Sequence, residues 1–127
     1  MKASAELYGW GAAALTALWF VVHTFVGGAE VAGPLLASDL PLAVRAPAWM
    51  TWHMVTGTIL LAALLFALAT RRRDRGLMLA ATAMVGVSAL AGIVAAFATG
   101  AGLAGLPQGL LFVPPAILGA LALARLP

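Results

Sequence analysis

Two histidines, His23 and His53, are the side chains of this chain best suited to chemistry, and both sit in the same local frame. One stretch reads Trp19-Phe20-Val21-Val22-His23-Thr24-Phe25-Val26-Gly27, the other Trp49-Met50-Thr51-Trp52-His53-Met54-Val55-Thr56-Gly57, so each is a W-x-x-x-H-x-x-x-G run. Residues four apart stack along one face of an α-helix, which lines up a Trp, a His and a Gly on each segment. Neutral imidazole is a ligand for iron, copper and zinc. One from each of two neighbouring helices would hold the iron of haem b from both sides. Gly27 and Gly57 would then leave room for the flat macrocycle, Trp19 and Trp49 would stack on it, and Arg45 would meet a propionate. Alternatively Glu30, or Asp39, joins His23 and His53 in a two-histidine, one-carboxylate site for zinc or iron. Met50, three residues before His53, adds a thioether that favours copper(I), whereas Met54 is expected to point elsewhere. The plainest alternative is packing, each imidazole hydrogen-bonding a neighbour such as Thr24, Thr56 or Gln108.

These side chains need rigid elements to bring them together, and the composition says which. Hydrophobic residues make up 64% of the 127 and charged ones 9%, against about 25% charged in soluble domains. A fold this small would leave too much apolar surface in water. A bilayer core of about 30 Å is crossed by about 20 apolar helical residues, and four stretches qualify: 7–28, 49–70, 77–99 and 106–124. The expected fold is an all-α integral membrane protein, a four-transmembrane-helix antiparallel bundle. Pro114 and Pro115 should kink or break the fourth span. Arg71-Arg72-Arg73-Asp74-Arg75 joins spans two and three in a tight hairpin and marks that turn as cytoplasmic. Both termini then lie in the cytoplasm and the protein is a multi-pass inner-membrane protein. On that topology His23 and His53 lie about 8 Å and about 6 Å inside the periplasmic boundary, at a rise of about 1.5 Å per residue.

The long outer connection, 29–48, is too apolar for a floppy linker. Ser38 or Asp39 ahead of Pro41 is a helix-start signal, so the second helix is expected to begin near Pro41 and to bend at Pro47. Residues 31–40 should fold back as a cap, with Glu30 and Arg45 paired across it. Ser88, Gly92 and Ala96 recur at helical spacing, and Gly86 and Gly119 add further small surfaces for close helix contact, within the chain or in a homo-oligomer. The first span is expected to be retained, being long and carrying Trp19, Phe20 and His23.

Several function classes drop out. There are no cysteines, which removes disulfides, thiolate metal sites and iron–sulfur clusters. The basic balance comes mostly from the arginine turn, so it reports topology and gives no reason to expect nucleic-acid binding. No G-x-S-x-G nucleophile elbow or phosphate-binding glycine loop is present, which leaves enzymatic activity open without a motif to carry it. The leading expectation is a haem- or metal-binding protein of electron transfer or metal handling. A small oligomeric transporter or channel, or a non-catalytic subunit or assembly factor of a larger membrane complex, are the alternatives. The first of these is disfavoured by the apolar cytoplasmic half of the spans.

Overall fold

The computed structural model describes residues 2–126 and is entirely helical, with no strand among them. Helix α1, Lys2–Val21, continues without a break through a π-helical segment, Val22–Ala32, into a short α2, Gly33–Leu36. After a five-residue link comes α3, Leu42–Arg72, then α4, Arg75–Ala98, single turns α5, Gly102–Gly105, and α6, Gln108–Leu111, and finally α7, Val113–Leu123. Three helical stretches have the length and composition to cross a membrane: Ser4–Leu36, Leu42–Arg72 and Arg75–Ala98. The fourth apolar stretch, Gln108–Leu123, is shorter and is interrupted at Phe112. Pro114 and Pro115 have no N–H to donate, so a helix can start at them but cannot run through them from α6.

Helix α1 packs on α3 and α7, and α4 packs on the same two, so the four packing pairs close a ring. Phe66, Met78, Val85, Thr16 and Pro115 are fully buried, surrounded by Ala12, Ala62, Ala69, Ala81 and Ala122. Almost all of this core belongs to the half of the ring that holds the arginine turn. Small residues set the spacing: a Cβ on Gly119 would come within 2.8 Å of Phe66 Cε1. The buried hydroxyls of Thr16 and Thr70 donate to the carbonyls of Ala12 and Phe66, each 2.7 Å away. These bonds within a helix let threonine sit in an apolar core at little cost.

The arginine turn is built from its own side chains. Arg73 takes the left-handed conformation that ends α3 (φ 54°), and its guanidinium pairs with Glu6 of α1. Arg75 Nη1 donates to the carbonyls of Leu123 and Leu126 at 2.9 and 3.0 Å, satisfying orphan groups at the end of α7. Asp74 caps α4 by accepting from the Leu77 N–H at 2.9 Å. Replacing Asp74 with Ala is expected to cost about 1 kcal/mol, the usual worth of an N-cap; an unchanged thermal midpoint in detergent would contradict this.

The connection between the first two long helices departs from the expected cap over 29–48. The first helix runs on to Leu36 and α3 begins at Leu42, with Pro41 at its N-cap, so only residues 37–41 are non-helical. The start near Pro41 agrees with the sequence signal. Helix α3 passes through Pro47, where a bend is expected, without a break. Arg45 does not pair with Glu30. Its Nη1 donates instead to the Ser38 carbonyl at 2.7 Å, tying the link to the first turn of α3. Among the described residues the only ion pair is that of Arg73 with Glu6.

Candidate functional site

At the end of the ring opposite the arginine turn, the π-helical segment lies against α3. The backbone N–H of Gly33 bonds the Gly28 carbonyl, five residues back, which is the wide winding that defines the segment. It carries His23, Gly27 and Glu30. Such segments are rare and are frequent at functional sites, because the extra residue per turn re-aims every side chain that follows.

His23 does not face an open gap. Its ring stacks on the indole of Trp52, with centroids 4.0 Å apart and planes 14° apart. Its Nε2 lies 3.4 Å from the Trp52 carbonyl oxygen. A carbonyl only accepts, so Nε2 carries the hydrogen there and is occupied, weakly, by main chain. Gly27, one turn on, seats the same indole: a Cβ there would lie 2.9 Å from Trp52 Cη2 and 3.1 Å from Cζ2. The space reserved by the sequence pattern for a flat macrocycle is therefore filled at His23 and Gly27 by a side chain of this chain. Trp52 is the residue the pattern missed, because counting fours along α3 lines up Trp49, His53 and Gly57 and leaves Trp52 off that row.

His53 has the opposite surroundings. It is exposed, and its ring meets that of Trp49, one helical turn back, edge to face with centroids 4.1 Å apart. It makes no hydrogen bond with the described residues. Trp49, Met50, His53 and Met54 line one shallow recess of about 470 Å³. Met54, expected to point elsewhere, belongs to this recess. It lies four residues from Met50, and the two thioethers stack on one row of α3 with His53 in the adjacent row. Gly57, the third member of the repeat, has nothing within 4 Å of the position a Cβ would take. The two W-x-x-x-H-x-x-x-G runs thus give one closed wall and one open one.

The remaining candidates scatter. Glu30 is exposed, and among the described residues no three His, Asp or Glu side chains converge as a set of metal ligands. Arg45 is held by Ser38. Trp19 turns its Nε1 into the interior, where it has no hydrogen-bond partner among the described residues. The hydroxyls of Thr24 and Thr56 donate to the carbonyls of Phe20 and Trp52, at 2.7 and 3.0 Å, and so serve their own helices and neither histidine. Comparison with protein-family models, with curated proteins and with solved structures finds no match.

Proposed function

We propose that this chain is a four-span inner-membrane protein, with both termini in the cytoplasm, that handles a transition metal at its periplasmic face through His53. The topology follows from the arginine turn: four positive charges in one short connection favour the cytoplasm, and the histidine end then faces the periplasm. The shorter fourth stretch spans with help from the residues that flank it. The observation that carries the metal reading is the His53 imidazole itself, exposed and without a hydrogen bond to the described residues, beside two thioethers. A polar ring left unpartnered near hydrocarbon costs free energy, and a bound cation would recover it. His23 belongs to the Trp52 wall in this reading and supplies no ligand. Haem b held between the two histidines is disfavoured on the same ground, since Trp52 occupies one side of the place it would need. Glu30 is a ligand only if the first helix rearranges.

The test is elemental analysis and an absorption spectrum of the protein purified in mild detergent, before and after exposure to copper, zinc and iron salts. The expected result is metal at one equivalent, lost in His53→Ala and kept in His23→Ala, with no Soret band. A preparation that takes up no metal defeats the reading, and a Soret band that needs both histidines restores the haem one. A second reading, a subunit or assembly factor of a larger membrane complex or of a homo-oligomer, is favoured by Gly57 and Gly86. A Cβ on either would meet nothing within 4 Å, which leaves small surfaces open to another helix.

A further inference from the structure

We infer that the recess on α3 is a copper(I) site, with Met50, Met54 and His53 as its three ligands and Trp49 as its wall. The inference rests on the metal reading of His53 and goes beyond it by naming the ion and the donors. Two thioethers and one neutral imidazole form a soft, uncharged donor set. Thioethers select copper(I) over zinc and over the hard divalent ions, while imidazole suits copper in either set. A monovalent ion also suits the surroundings. No carboxylate lines the recess, so a divalent ion would keep its full charge at the edge of a medium that solvates charge poorly, whereas copper(I) brings one unit. Two or three ligands satisfy copper(I), so the absence of a third His, Asp or Glu does not disqualify the place as it would for tetrahedral zinc.

The donors come from one rigid element. Residues 50, 53 and 54 occupy adjacent rows of a continuous α-helix, so holding the ion demands side-chain rotamers and no backbone movement. Both methionines are open, Met50 at 56% and Met54 at 62% exposure. Unbranched thioethers adapt to an ion at little cost. Trp49 is fixed against His53, and its indole lines the recess where it would feel a cation. Binding is plain coordination: neutral imidazole and thioether lone pairs are donated to the metal, no bond in the protein breaks, and copper enters and leaves in the same oxidation state.

The experiment uses the full chain in detergent under anaerobic conditions, titrated with the coloured copper(I)–bicinchoninate complex. The expected result is transfer of one copper(I) per chain with quenching of tryptophan fluorescence, the quenching lost in Trp49→Phe. Met50→Leu combined with Met54→Leu keeps the apolar surface and the helix. It is expected to weaken copper(I) by more than the roughly tenfold that loss of even an outer-shell partner costs, and to leave helicity and elution volume unchanged. Copper(I) affinity unaltered in that double variant overturns the inference. So does His53-dependent uptake of zinc(II) in preference to copper(I), which would leave the broader metal reading standing. No uptake of either ion ends both.

Discussion

Gly109→Val is expected to destabilise the protein by at least about 3 kcal/mol, the upper range for overpacking a core position, and to be seen as a lowered thermal midpoint and loss of a monodisperse peak in detergent. A Cβ on Gly109 would lie 2.5 Å from the Ile93 nitrogen, 2.7 Å from the Gly92 carbonyl carbon and 2.9 Å from the Ala89 oxygen. From the other side, a Cβ on Gly92 would lie 2.5 Å from Gly109 Cα. All of these are main-chain atoms, so no rotamer change relieves the clash, and α6 must move off α4. That movement is transmitted, because α6 leads through Phe112 directly into α7. Helix α7 in turn closes the ring against α1 and α4 through Gly119, Pro115 and Ala122. Between helices in lipid there is little hydrophobic drive to offset a lost contact, since acyl chains are as apolar as leucine. Close packing is what remains. Gly86→Ala provides the control: a Cβ there meets nothing within 4 Å, and alanine is the better helix former by up to about 1 kcal/mol, so its stability should hold or rise. A Gly109→Val protein that melts with the wild type would show that the two backbones are not in the contact described.

What the sequence could disclose follows from which interactions are local. Hydropathy over about 20 residues reports burial or lipid contact directly, so the three long helices are present in the sequence, with the arginine-turn ends and the end at Ala98 within a few residues of those observed and the ends flanking residues 29–48 well short of them. Pro41 marks a helix start because its fixed backbone angle suits the first turn, a preference decided within a few residues. The Gly92 surface was legible as a small-residue row, though its partner Gly109 was not, since nothing in either segment specifies which small surface meets which. Residues 29–36 continue the first helix where a folded-back cap is expected, and the reason is physical. Gly27, Gly28, Gly33 and Pro34 all look like helix terminators, yet the π winding carries the backbone through the glycines, and Pro34 falls in the first turn of α2, where its missing N–H does little harm. The same winding changes which side chains share a face at this end. Face assignments that count four residues per turn fail once a segment bonds five residues back. The repeat around His23 and His53 is real as a string of letters, but the first copy passes from α1 into the π-helical segment after Val21, whereas the second lies wholly in an α-helix. The residues that matter most at this end, Trp52 as a plug and Met54 as a neighbour of His53, were visible only in three dimensions.

Trp52 supplies the second large effect, and a double-mutant cycle isolates it. Gly27→Val should cost about 2 kcal/mol, since the added carbons meet a rigid indole that has the His23 ring stacked against it. Trp52→Ala should cost about 2–3 kcal/mol, somewhat less than the 3–5 of a fully buried aromatic because the ring is only half-buried. The two costs should not add. With the indole gone, the valine side chain fills the vacated cradle, and the double variant is expected to be more stable than the sum of the single changes predicts by about 1–2 kcal/mol. Additivity within about 0.5 kcal/mol would mean that the indole merely rests on the segment without being held by it. The cycle also bears on the asymmetry of the two histidines. Trp52 holds His23 by its ring face and, through its own carbonyl, by Nε2, while His53 on the next position of the same helix has Trp49 and the two thioethers beside it and stays exposed. One residue of α3 thus closes one imidazole and leaves its neighbour open. Trp52→Ala should accordingly lower stability while leaving His53-dependent metal uptake in place, whereas His53→Ala should remove the uptake at little cost in stability. If the two variants instead lose both properties together, the open and closed walls form one unit, and the separation of a packing histidine from a binding histidine is wrong.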